Sequence, residues 1–304
     1  PSRQSRATLP HVHCAYHPRI KPERDMQPLV TDTMQETIRA QLRELERTEN
    51  VRILYACESG SRAWGFPSAD SDYDVRFIYA HPTEWYLTLE TRRDVIERPI
   101  NDDLDISGWD IRKALNLFRR SNPPLLEWLQ SPIVYMRAPG FVERMRELMV
   151  THYDPRACMH HYLQMARGNY REFLKGERVR TKKYFYVLRP VLACLWLEQS
   201  RGPVPTLFQT LVDTLVPDGE LRDTINGLVE RKRNDREVAD GPPIPVFNEF
   251  LETQLSRLTQ SARQLPKADT RDVEELDAFF RATIGYRDAG TACRGSRDSP
   301  GNPA

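Results

Sequence analysis

No stretch of this sequence is long and apolar enough to cross a bilayer. The longest uninterrupted apolar run, Val191 to Leu197, falls far short of the ~20 residues a membrane helix needs, and no charged, apolar, small-residue signal pattern opens the chain. The expectation is a soluble protein with no membrane partner. Cysteine is scarce too: five, at positions 14, 57, 158, 194 and 293, without a CxxC pair. An odd number at wide spacing argues against a disulfide framework and points to a reducing, cytoplasmic compartment. Nor is there an excess of either charge, with 44 Lys and Arg against 43 Asp and Glu. Without an overall field, any polyanion must be recognised locally.

What is there is ordinary for a globular chain: 304 residues, 39% hydrophobic, enough for one large domain or two modest ones. Residues 1–25 hold prolines 1, 10, 18 and 22 and no apolar periodicity, and read as a disordered extension. His11, His13, Cys14 and His17 there have metal-capable side chains, but without a partner cluster they predict no zinc site. Residues 290–304, rich in Gly, Ser, Pro and Arg, read as a disordered tail.

Between these ends the pattern changes once. Thr33 and Glu36 form a capping box, and Met34, Ile38, Leu42 and Leu45 recur at helical spacing. Apolar runs of strand length follow at Val51 to Cys57 and Val75 to Tyr79, then Leu104 to Ile106 leads into a helix from Asp110 to Arg120. This order predicts an α+β unit over 26–150. From Pro155 the signal is helical: 156–174, 181–199, 205–231 with a break near Pro217, 246–264 and 271–284, giving a second, helical region over 151–289. Pro190 is expected to kink or end its helix.

The informative segment runs from Cys57 to Val75. A strand delivers Gly60 and Ser61, ten residues intervene, and Asp72, Tyr73, Asp74 opens the next strand. Residues two apart on an extended chain point the same way, so both carboxylates share a face. Like charges that close repel, and divalent cations with hard oxygen ligands, Mg²⁺ or Mn²⁺, are the usual way to keep both ionised. Gly60 permits close backbone approach, and the Ser61 hydroxyl with nearby amides can hold phosphate oxygens, so the turn reads as a triphosphate cradle beside a metal site.

These residues are familiar. Gly60-Ser61-Arg62-Ala63 with Gly65, and Ser71-Asp72 with Asp74, resemble the polymerase beta-like nucleotidyltransferases. The longer run from Glu58 through Trp85, with Asp105 to Asp110 and Asn122 to Trp128, resembles the RNA-ligase-associated "predicted nucleotidyltransferase" group over roughly residues 30 to 260. The resemblance implies a mixed sheet flanked by helices, a helical region closing over the nucleotide, and metal-dependent transfer of a nucleoside monophosphate from an NTP such as ATP. It favours RNA as acceptor and leaves a protein or small-molecule acceptor, or a non-catalytic nucleotide- or RNA-binding module, open. It fixes neither the base nor the oligomeric state.

A third acid completes such a site. Asp103, Asp105 and Asp110 are candidates; Asp105, flanked by Leu104 and Ile106, is the choice on strand geometry, whereas Asp110 reads as the cap of the following helix. The expected catalytic and metal-binding set is therefore Asp72, Asp74 and Asp105. Nucleotide contacts are expected from Gly60, Ser61 and Arg62, although Arg62 has Glu58 and Asp70 as competing ion-pair partners. Further contacts are expected from Lys182, Lys183, Tyr186 and Arg189, of which Lys182, Tyr186 and Arg189 share one helical face. The resembled group carries a comparable Lys-Lys-Tyr stretch. The competing reading is a solvated basic face with Tyr186 covering the core.

Overall fold

The computed structural model describes residues 29–99, 103–234, 240–265 and 273–286. The extension over 1–25, with its His and Cys side chains, and the tail over 290–304 lie outside them.

In chain order the elements are α1 (Asp32–Glu49), β1 (Arg52–Glu58), α2 (Gly60–Ala63), β2 (Tyr73–Ala80), α3 (Thr83–Tyr86), β3 (Val95–Glu97), β4 (Leu104–Asp110), α4 (Ile111–Arg119), α5 (Pro123–Trp128), β5 (Val134–Arg137), α6 (Phe141–His152) and α7 (Pro155–Phe173). After a 3-10 turn at Thr181–Tyr184 come α8 (Phe185–Glu198), α9 (Phe208–Leu215), α10 (Glu220–Asn234), α11 (Pro245–Gln264) and α12 (Val273–Ile284). Among the described residues the strands form one mixed sheet in the order β3-β4-β2-β1-β5. Strand β2 pairs with β1 antiparallel and with β4 parallel. The α+β class read from the sequence is the class of the structure. No described helix is long and apolar enough to cross a membrane, and Cys57, Cys158 and Cys194 are buried.

Strand alternation sorts the two faces. Val75, Phe77 and Tyr79 of β2 and Ile106 of β4 join Ile38, Leu42 and Leu45 of α1 in one apolar cluster. Ile78 and Ala80 face the other way, into a larger cluster that runs through α4 to α8 and on to α11. By the same parity Asp74, Arg76 and Asp105 lie on the face toward the helical region, at the end of the sheet where the apolar packing stops.

Three local expectations are corrected. The cap of α1 is Thr31, whose Oγ1 accepts from the Met34 amide at 3.3 Å; Glu36, expected to reach back to Thr33, pairs with Arg39 instead. The helix expected over 181–199 starts as a 3-10 turn. Pro190 does not end α8: the carbonyl its ring leaves without a partner, that of Tyr186, accepts from Asn169 Nδ2 at 3.0 Å. A neighbouring helix thus repairs the gap.

Candidate active site

Strand β1 ends at Glu58, and the chain turns through Ser59 into Gly60 at φ +59, left-handed space that glycine enters without a steric penalty. The close approach behind that turn is specific. A Cβ on Gly60 would overlap Asp74 Oδ2 and stand 2.9 Å from its Cγ. The turn and the strand are also laced through the backbone, with the Ser59 amide donating to the Asp74 carbonyl at 2.8 Å. Ser61 follows, half-buried at the start of the one-turn helix α2.

Asp74 sits directly across from Asp105 in the parallel β2–β4 register. Asp72, just ahead of β2, is exposed. Burial raises the Asp74 carboxyl above its ordinary value; Arg76 opposes the rise, and the charges of Asp105 and Asp72 add to it. Asp103 is exposed ahead of β4, and its carbonyl accepts from the Tyr73 amide. Asp110 lies at the far end of β4, buried, accepting from the Arg112 amide at 2.8 Å and the Tyr86 hydroxyl at 2.6 Å as the cap of α4. A cavity of about 230 Å³ beside Asp110, lined by Trp85, Arg92 and Arg112 among others, is at that remote end and holds none of the three acids.

Arg76, which the sequence reading passed over, and Glu58, expected there only as an ion-pair partner of Arg62, complete the acid cluster. Arg76 Nη2 donates to Asp74 Oδ1 at 2.9 Å and to Asp105 Oδ2 at 2.7 Å, bridging the two carboxylates. Its signal was parity: Asp72, Asp74 and Arg76 are two apart along one strand direction. Glu58, fully buried, accepts the Asp74 amide at 3.0 Å and the Tyr135 hydroxyl at 2.5 Å. Burial pushes its carboxyl up to about 7 against those two hydrogen bonds.

The basic candidates divide. Arg62 is buried and its guanidinium donates to the carbonyls of Leu29, Ser71 and Asp72, with its Cζ 3.7 Å from the centre of the Tyr73 ring. It clamps the loop that delivers Asp72. Arg189 is buried too, pairing with Glu127 at 2.6 Å and lying over Trp64. Lys182 is exposed, Lys183 lies over the rings of Phe173 and Tyr186, and Tyr186 is 44% exposed and edge-on to Trp64. The Tyr186 phenol is raised by burial and then by the charges of Asp74 and Asp72. The structure thus leaves Tyr186 and Lys182 exposed at a rim and commits Arg62 and Arg189 to internal partners.

Lys232 of α10, unremarked in the sequence, joins that rim. Its ammonium is lowered by burial, favoured by Asp70 and disfavoured by Lys182 and Arg62, while Arg233 donates to the Gly65 carbonyl at 2.7 Å. The end of α10 therefore packs on the turn that follows Gly60.

Among the described residues no group of three or more His, Cys, Asp or Glu side chains is arranged to hold a metal. The donor chemistry of Asp72, Asp74 and Asp105, all hard carboxylate oxygen, fits Mg²⁺ or Mn²⁺. The position between Asp74 and Asp105 is taken by the Arg76 guanidinium.

Residues 34–282 match the model of RlaP, described as the RNA repair pathway DNA polymerase beta family. The chain is 47% identical over 261 residues to an uncharacterized protein of Bacillus subtilis (strain 168), YcgL, covering 85% of this chain and 100% of that one. A crystal structure of a nucleotidyltransferase-like protein from Exiguobacterium sibiricum 255-15 aligns over 84% of this chain and 81% of that one at 11% identity and a TM-score of 0.28, a likeness too loose to bear on the site.

Proposed function

Because this chain belongs to the RNA repair pathway DNA polymerase beta family, we propose that it is a metal-dependent nucleotidyltransferase that moves a nucleoside monophosphate from an NTP to a hydroxyl acceptor. The observation that carries this reading is the register of Asp74 beside Asp105, with Gly60 under the Asp74 carboxylate. Asp72, Asp74 and Asp105 are the residues to hold Mg²⁺ or Mn²⁺, which when bound lowers the pKa of the attacking hydroxyl and neutralises the leaving pyrophosphate. In the reaction an acceptor oxygen bonds to the α-phosphorus as the bond to the bridging oxygen breaks, and pyrophosphate departs.

The chain's own groups supply the rest. Gly60 and the Ser61 hydroxyl form the phosphate side of the cradle, and Lys182 and Lys232, near enough that one lowers the other's ammonium, supply counter-charge from the helical region. Tyr186 and Trp64, packed edge-on, offer ring surface for a base. Glu58 holds Asp74 through its backbone amide and Arg62 holds the Asp72 loop, so both position the metal ligands.

RNA is the acceptor favoured, on the family's description. The test is incubation of the purified protein with labelled NTPs, Mg²⁺ or Mn²⁺, and separate pools of RNA, protein and small hydroxyl compounds. Label in the RNA pool supports the full reading, and label in another pool moves the acceptor. The absence of both transfer and NTP binding would sink the enzyme. Asp74→Ala should slow transfer at least ~10²-fold, and an unchanged rate would remove Asp74 from the site.

The non-catalytic alternative, a nucleotide- or RNA-binding regulator, predicts NTP binding without transfer in every pool. Asp74 kept beside Asp105 and Asp72, whose charges raise its carboxyl, weighs against it.

A further inference from the structure

The guanidinium of Arg76 stands where a cation shared by Asp74 and Asp105 would stand. Its Nη2 reaches both carboxylates, at 2.9 and 2.7 Å, while Nη1 donates to the Val75 and Asp105 carbonyls at 3.1 and 3.0 Å. Arg76 is 18% exposed and the two carboxylates about 30%, so the contact is sheltered by the sheet face on which all three lie. Parallel register puts Asp74 and Asp105 on adjacent strands, whose backbones run ~4.8 Å apart, and two acids so placed require a positive partner.

We propose that Arg76 is the resident counter-cation of the metal-free site, and that a divalent ion must displace its guanidinium from Asp74 and Asp105 before it can bind. This rests on the metal reading above and adds its regulation. The oxygens that face Arg76 belong to two of the three proposed ligands, and two cations cannot hold the same oxygens at contact distance without strong mutual repulsion. The arginine therefore keeps the acids paired and in register without metal, and it reduces metal affinity by the fraction of molecules in which the bridge is closed. Binding becomes a two-state exchange, guanidinium out and divalent ion in.

Mn²⁺ binding, followed by calorimetry and by the paramagnetic resonance of free Mn²⁺, tests this on wild type, Arg76→Ala and Arg76→Lys, each checked for folding by near-ultraviolet circular dichroism. A closed bridge in about nine molecules of ten predicts that Arg76→Ala binds Mn²⁺ about tenfold more tightly than wild type. Arg76→Lys, which keeps the charge and loses the fork, should fall between, and it stands in should the alanine variant fail to fold. A second readout needs no variant. Phenylglyoxal should modify Arg76 in wild type with saturating Mn²⁺ and spare it without, as mapped by peptide mass spectrometry. If wild type binds Mn²⁺ and the variants bind it equally or more weakly, or if Arg76 stays protected at saturation, Arg76 is a fixed scaffold and the exchange is wrong. If no form binds Mn²⁺, the metal reading itself fails and takes the exchange with it.

Discussion

The Asp74 carboxylate lies directly over Gly60, so that any side chain at position 60 would overlap Asp74 Oδ2. This contact joins the turn after β1 to the acid on β2, and so sets the proposed phosphate cradle against the proposed metal ligand. Gly60→Ala adds a methyl that must push Asp74 aside, on a left-handed backbone that costs an L-residue ~1–2 kcal/mol. The expected result is a folded protein with a modestly lowered Tm, a Mn²⁺ affinity reduced along with the displaced acid, and at least ~10²-fold slower transfer. Titration with Mn²⁺ beside a transfer assay checks it. Wild-type metal affinity in this variant would show that Asp74 does not take its position from Gly60.

A second expectation concerns Glu58. Its carboxyl titrates at about 7 in the folded protein against an ordinary 4.5, because burial opposes the charge more than Tyr135 and the Asp74 amide favour it. The folded state therefore holds a proton that the unfolded chain has already released between these values. Stability conferred by that bound proton is fully present below about pH 4.5 and is lost as pH rises to about 7, a loss of up to ~3 kcal/mol on a shift of this size. Glu58→Gln cannot titrate, so its metal-free unfolding free energy should lack this contribution and exceed that of wild type increasingly from pH 5 to pH 7. Denaturant melts in EDTA across that range measure the difference. Parallel profiles for the two proteins would place the titration elsewhere.

Position in the chain explains what the sequence revealed and what it hid. Asp72, Asp74, Gly60 and Ser61 were legible because two-residue strand spacing and a Gly-Ser turn are local patterns, and Asp105 stood out between Leu104 and Ile106. That Asp105 is the register partner of Asp74 was not legible, because parallel pairing across 31 residues depends on packing that no short window contains. Arg76 could have been read by parity, yet an arginine in a strand ordinarily signals an exposed edge; only the pairing with β4 shows it between two acids. Arg62 resisted for another reason. Its partners are backbone carbonyls, which every sequence offers everywhere. Thr31 displaced Thr33 as the cap of α1 because both positions carry the same residue type, and the choice depended on where the preceding chain turns.

The last expectation separates two residues that the sequence placed on one helical face. Lys182 is exposed on a 3-10 turn, whereas Arg189 is buried against Glu127, which also receives the Tyr162 hydroxyl at 2.7 Å. A rim lysine that meets phosphate contributes through charge alone, so Lys182→Ala should raise KM for NTP about tenfold, with little change in Tm, and the effect should shrink as salt screens it. Arg189→Met removes one partner of a buried pair and leaves the Glu127 charge without its match, which costs ~3–5 kcal/mol of stability. Its signature is a large fall in Tm with an NTP KM near wild type in the protein that remains folded. The hydrogen bonds of Arg189 to the Pro205 and Thr206 carbonyls, at 3.4 and 3.3 Å, make the same point geometrically, since they tie the guanidinium to the loop before α9. An Arg189→Met protein with an unchanged Tm and a raised KM would reverse the assignment and return Arg189 to the nucleotide.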